Sequence, residues 1–133
     1  MIIPYLYFQG DCEEAIRLYC EALGGHVDYL SRYTKETGGA LSGKVMHAEM
    51  SFGAGKLAAG DRAEPVQRND GMMLMVHFQT AAEADRVLEL FGAGGTVLQR
   101  LTPHPPPDDG GMGALVRDAY GVTWILTAPN DRA

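Results

Sequence analysis

The chain has 133 residues, 46% of them hydrophobic and 21% charged, with a formal net charge of −6. That length suits one domain with a self-sufficient core, and no apolar run approaches the ~18 residues that a bilayer-crossing helix needs. The acidic balance, without a Lys/Arg cluster, argues against nucleic acid as a partner, because a phosphate backbone calls for a positive stripe that displaces counterions.

The opening residues, Met1 to Asp11, carry no basic region and reach Gly10 and Asp11 too soon for a signal peptide, so the expectation is a soluble, cytoplasmic protein with no membrane partner. Ile2 to Phe8, rich in aromatic and β-branched residues and bounded by Gly10, reads as a strand. Asp11, with Glu14 three residues on, reads as an N-cap ahead of Ala15, Ile16, Tyr19, Cys20 and Leu23 at helical spacing; Gly24-Gly25 stops that helix. Its two cysteines, Cys12 and Cys20, are about 12 Å apart along the axis at ~1.5 Å per residue, too far to bridge each other, and free thiols suit a reducing compartment. A strand from His26 to Tyr33, a polar Gly-rich stretch from Thr34 to Gly43, a strand from Val45 to Phe52, and a hairpin through Gly53-Ala54-Gly55 into Lys56 to Ala59 follow.

After a polar connector from Asp61 to Gly71 the plan repeats. Met72 to Phe78 reads as a strand, Thr80 and Glu83 as a capping box, and Ala84, Val87, Leu88 and Phe91 as the apolar face of a second helix. Thr96 to Leu101 reads as a strand, the Pro-rich run from Thr102 to Gly111 as a surface loop, and Ala114 to Arg117 with Val122 to Thr127 as a closing hairpin. The two caps, Asp11 and Thr80, stand 69 residues apart, which marks an internal duplication of a βαβββ unit. The predicted fold is α+β: two tandem modules, about 1–62 and about 70–128, within one domain of residues 1–133. They are expected to form one curved mixed sheet with helices on the outer face and a concave cavity.

Pro4-Tyr5-Leu6-Tyr7-Phe8, Gly10 to Ile16 with Tyr19, Leu23-Gly24-Gly25, Met46 to Met50, and Asp118 to Trp124 resemble the vicinal-oxygen-chelate superfamily of glyoxalases, bleomycin-resistance proteins and dioxygenases, specifically its PhnB-like branch. The resemblance covers nearly the whole chain. It implies paired modules and, in metal-dependent relatives, four ligands from the first and last strands of each module, all pointing into the cavity. Those positions hold Pro4, Ala58, Met73 and Ile125, which form no divalent-metal site. No metal and no cofactor are therefore expected, and no GxGxxG, phosphate loop or GxSxG elbow supports nucleotide or serine-hydrolase chemistry.

Strand alternation counted from Pro4 and Met73 points Leu6, Phe8, Met75, His77 and Thr123 into the cavity, and Tyr5, Tyr7, Leu74, Val76, Phe78, Trp124 and Leu126 toward the helices. His47 and Glu49, two apart on a strand, share a face and form either a hydrogen-bonded pair or, with His77, a two-His-one-carboxylate metal site. The pocket candidates are thus Leu6, Phe8, His47, Glu49, Met73, Met75, His77 and Thr123, an apolar lining with a few placed polar groups. Catalytic residues are not assignable at this stage. The expectation is a small-molecule binding protein with a metal-free cavity, acting as a homodimer; the alternative is a metal-dependent lyase, isomerase or dioxygenase of the same superfamily.

Overall fold

The computed structural model describes residues 1–108 and 110–132, and its contacts divide the chain into two compact units, Met1–Gln67 and Arg68–Ala133. The first contains β1 (Tyr5–Phe8), α1 (Cys12–Leu23), β2 (His26–Arg32), a short α2 (Lys35–Gly38) with a 3-10 turn at Gly39–Leu41, β3 (Val45–Phe52) and β4 (Gly55–Asp61). The second contains β5 (Leu74–His77), α3 (Ala81–Gly92), β6 (Thr96–Pro103), β7 (Gly111–Arg117) and β8 (Thr123–Pro129).

The strand ladders form two four-stranded mixed sheets, one per unit, ordered β1-β4-β3-β2 and β5-β8-β7-β6. In each, the first strand runs parallel to the last and the other neighbours are antiparallel. That is the α+β, two-module βαβββ plan. Among the described residues no helix is long and apolar enough to cross a membrane.

The two long helices, α1 and α3, each pack an apolar stripe on the sheet of their own unit. In the first unit Ala15, Ile16 and Tyr19 of α1 are buried with Phe8, Ala48, Met50 and Ala59. In the second, Val87, Leu88 and Phe91 of α3 are buried with Val116, Trp124 and Leu126, and the rings of Phe91 and Trp124 lie 5.0 Å apart, a tilted aromatic pair. Trp124 Nε1 donates to Asp118 at 2.9 Å, so the buried indole keeps its hydrogen bond; the same carboxylate accepts from the backbone N–H groups of Tyr120 and Val122.

Several sequence expectations are corrected at the element ends. Asp11 makes no side-chain cap. The donors at the start of α1 are taken instead by Asp61, at the end of β4 and fully buried: it accepts from Gly10 N at 2.7 Å, Cys12 N at 3.0 Å and Val45 N at 3.2 Å. Thr80 does cap α3, accepting from Glu83 N, and Asp131 accepts from Ala81 N. The stretch after Thr34, expected only to be polar and Gly-rich, holds α2 under a reciprocal Thr34/Thr37 capping box. The loop before β7 is shorter than predicted, because β6 runs to Pro103 and β7 begins at Gly111; Asp109 within it lies outside the described residues.

Candidate functional site

The face of the first sheet turned away from α1 is where polar groups converge. Phe8 pairs with Asp61 across the β1/β4 ladder, and Asp61 reaches the start of α1, so Phe8 and Leu6 point to the helix side. Tyr5 and Tyr7 therefore take the open side, 42% and 40% exposed, while Phe8 is 2% exposed. This reverses the facing predicted for β1, and Leu6 and Phe8 are core-side residues, not pocket residues.

A one-residue difference between the modules accounts for the reversal. Counting from the helix caps gives a spacing of 69 residues, but the matching strand segments, Phe8-Gln9 and Phe78-Gln79, are 70 apart. The extra residue in the first module lies between strand and helix, where Gly10 adopts φ 105°, a conformation that favours glycine. Because side chains alternate with period two, a one-residue slip in the count moves a whole strand to the wrong face. The repeated Phe-Gln pair was the signal that could have set the count.

On the open face, cross-strand register aligns Tyr5, Ala58, Glu49 and Tyr29 in one row. The small Ala58 leaves room between the two larger groups, and His47 closes the gap: Tyr5 Oη lies 3.0 Å from His47 Nδ1, and His47 Nε2 lies 2.8 Å from Glu49 Oε2. A carboxylate can only accept, which assigns the imidazole proton to Nε2 and makes Nδ1 the acceptor of the Tyr5 hydroxyl. The result is a phenol–imidazole–carboxylate chain. The Tyr5 and His47 rings stack nearly parallel, with centroids 5.5 Å apart at 19°, and Tyr29, 54% exposed, packs against the imidazole at 6.0 Å between centroids.

Around the chain the surface is aromatic and tight. Tyr7 lies 4.9 Å from Tyr5, and the Arg62 guanidinium sits 4.9 Å over the Tyr7 ring, a cation–π contact. Gly60, paired with Tyr7, is where a Cβ would come within 2.6 Å of the Met46 carbonyl and 3.0 Å of the Tyr5 hydroxyl. Burial first, then the neighbouring Tyr7, Cys12, Tyr33 and Glu49 groups, push the Tyr5 hydroxyl above the usual tyrosine range, so it remains a proton donor at neutral pH.

In the second unit the predicted facing is what the structure shows: Trp124 and Leu126 are buried on the α3 side, and Met75, 69% exposed, shares the open face with His77. Met73 is exposed just before β5, and Thr123 is buried at the start of β8. Thr127 Oγ1 donates to the Val76 carbonyl and stands 2.9 Å from His77 Nδ1, which therefore donates to it. His104 is packed over Gly111 and Gly113, where any Cβ would fall within 3 Å of its ring.

The four positions that the resemblance implies for metal ligands do not fit a metal, and neither does Tyr5, which the corrected facing of β1 puts opposite Ala58 in place of Pro4 and whose hydroxyl is engaged by His47. Pro4 and Ala58 offer no side-chain donor, and the Pro4 carbonyl accepts from Ala58 N at 2.9 Å; Met73 and Ile125 supply one thioether and one alkyl chain. Nor does His47 serve, since Tyr5 and Glu49 engage both of its ring nitrogens. Among the described residues no group of three or more His, Cys, Asp or Glu side chains is placed to hold an ion. A separate groove of about 390 Å³ runs between α1 and β2, lined by Ile16, Cys20, Val27 and Leu30. Its rim acid Glu13 is already bound by Arg32 at 2.7 Å, which holds that carboxyl below its usual range.

A family model described as 3-demethylubiquinone-9 3-methyltransferase matches residues 1–127. The chain belongs to that family. It lies in the PhnB-like branch of the glyoxalase/bleomycin-resistance/dioxygenase superfamily. Two solved structures are similar over almost their whole length: a protein from Pseudomonas aeruginosa, 28% identical with TM-score 0.84, covering 97% of each chain, and a PhnB protein from Bacillus cereus, 27% identical with TM-score 0.84, covering 96% of this chain and 98% of the other. A glyoxylase/bleomycin-resistance/dioxygenase domain from a Frankia species shares the fold at 14% identity and TM-score 0.69, over 100% of this chain and 93% of its own. Among curated proteins none matches the sequence significantly.

Proposed function

We propose that this PhnB-like protein binds a small organic molecule on the open face of its first sheet, without a metal. The observation that carries the reading is the Tyr5–His47–Glu49 chain set among exposed Tyr7 and Tyr29 rings: a mostly apolar, ring-lined surface with a few oriented polar groups is the usual chemistry of a small-molecule site. The donor chemistry of Pro4, Ala58, Met73 and Ile125 speaks against the metal-dependent lyase, isomerase or dioxygenase alternative. The methyltransferase in the family's description draws no support from the sequence, which has no glycine-rich cofactor loop.

The same reading takes the two units as one functional domain, in a cytoplasmic homodimer. Free thiols at Cys12 and Cys20 fit a reducing compartment, and each four-stranded sheet ends on edge strands that favour pairing.

The test is a screen of a metabolite library by thermal shift, followed by two-dimensional NMR of the hits. Hits should perturb Tyr5, His47 and Tyr29 resonances and lose affinity in Tyr29→Ala. Hits that leave those resonances unmoved, or that bind Tyr29→Ala equally well, would overturn the assignment.

A further inference from the structure

Resting on that binding reading, we infer that the open face of the first sheet is a metal-free proton-transfer site for a planar aryl 2-oxo acid, with Tyr5 as catalytic acid–base and His47–Glu49 as its proton relay. Each part of the substrate class answers to a group on this face. The flat ring answers to the exposed rings of Tyr7 and Tyr29. The carboxylate answers to Arg62, which pairs with no acidic side chain among the described residues, while its Nε is buried with no hydrogen-bond partner. One of its terminal nitrogens donates to the Pro65 carbonyl at 2.9 Å, which fixes the guanidinium over Tyr7. The labile carbon-bound proton answers to Tyr5, one ring contact from Tyr7.

A neutral phenol is too weak a base to remove such a proton alone, and burial makes its phenolate costlier still. The relay removes that obstacle. As the substrate C3–H proton passes to Tyr5 Oη, the Tyr5 proton passes to His47 Nδ1, and the imidazolium so formed faces the Glu49 carboxylate. The C3–H electron pair becomes the C2–C3 double bond, and the C2 carbonyl pair becomes the enolate oxygen lone pair. Return of the His47 proton through Tyr5 to that oxygen gives the enol and restores every residue, so the keto–enol interconversion balances without metal, oxidant or co-substrate. It is the logic of a serine–histidine–carboxylate triad with a phenol at the working end. Glu49 touches no reacting atom and is a positioning residue.

Phenylpyruvate is the probe, with binding measured by calorimetry and keto–enol equilibration by the enol absorbance, checked by deuterium entry at C3. The protein should bind it and accelerate equilibration saturably. Tyr5→Phe and His47→Gln should each lower kcat by about 10²–10⁴-fold with Kd unchanged, the span expected of one positioned acid–base group. Glu49→Gln should lower kcat with KM unchanged, whereas Arg62→Gln should raise KM roughly 10- to 100-fold with kcat kept, as for loss of one charged hydrogen bond. Binding without acceleration, or full activity in Tyr5→Phe, overturns the proton-transfer site and leaves the binding reading standing. Failure to bind phenylpyruvate overturns the substrate class, and the library screen then decides the binding reading by itself.

Discussion

Removing the Asp61 side chain is the sharpest test of how the first unit is held together. Three backbone N–H groups, from Gly10, Cys12 and Val45, converge on this one fully buried carboxylate, joining the β1–α1 corner to β3 and β4. In Asp61→Ala all three lose their acceptor. A buried donor left unsatisfied costs about 1–3 kcal/mol; with the corner relaxing to admit water at Gly10, which is only part-buried, a total of about 3–5 kcal/mol is expected, a large share of the ~5–15 kcal/mol that stabilises a domain. Asp61→Asn should cost less, about 1–3 kcal/mol, because Oδ1 still serves Gly10 and Cys12 while the new amide faces the Val45 N–H as a second donor. Urea unfolding is the assay: the midpoints should fall in the order wild type, Asn, Ala, with unchanged slope. An Ala variant within about 0.5 kcal/mol of wild type, the range of an ordinary surface substitution, would refute the claim that this carboxylate caps the helix.

Asp118→Ala should cost about 2–4 kcal/mol, since it strands the Trp124 indole N–H and the Tyr120 and Val122 amides, and the near-UV circular dichroism of the single tryptophan should change with it. Gly60→Ala forces a methyl group against the Met46 carbonyl and the Tyr5 hydroxyl; a loss of about 1–3 kcal/mol is expected, as for overpacking elsewhere, together with weaker ligand binding by the thermal-shift screen. Cys12 lies at the buried start of α1, where burial and then Asp61, Asp11, Glu13 and Glu14 push its thiol up to about 12. Because the folded state holds that proton more tightly than the unfolded chain, stability is intact below an ordinary thiol's range and falls as pH rises from about 9 toward about 12, by at most ~1.4 kcal/mol per pH unit. The difference between wild type and Cys12→Ala across that window, read from urea midpoints, isolates the effect; identical slopes would refute it.

The element order was legible because helical spacing in Ala15–Ile16–Tyr19 and Ala84–Val87–Leu88 is a local property, as is the Thr80–Glu83 cap. The caps supplied by Asp61 were not, because the acceptor lies about 50 residues from the amides it binds, and Asp11 offered a plausible local rival. Their two-residue spacing puts His47 and Glu49 on one face, as the structure has them, whereas alternation counted from Pro4 puts their third partner, Tyr5, on the opposite side. The mismatch arises at the strand–helix corner, where Gly10 adds a residue. In the second unit, without that residue, the same alternation put Met75, His77, Trp124 and Leu126 on the sides where they lie.

The chromophores are distributed unevenly between the units. The lone tryptophan is sealed in the core beneath α3, and of the six tyrosines only Tyr120 shares its unit, the other five lying before Gln67. Fluorescence excited at the red edge of the spectrum therefore watches one duplicate, while the tyrosine absorbance band watches mostly the other. Native protein thus carries a two-colour readout of whether its halves melt in one step or in two, with no label attached.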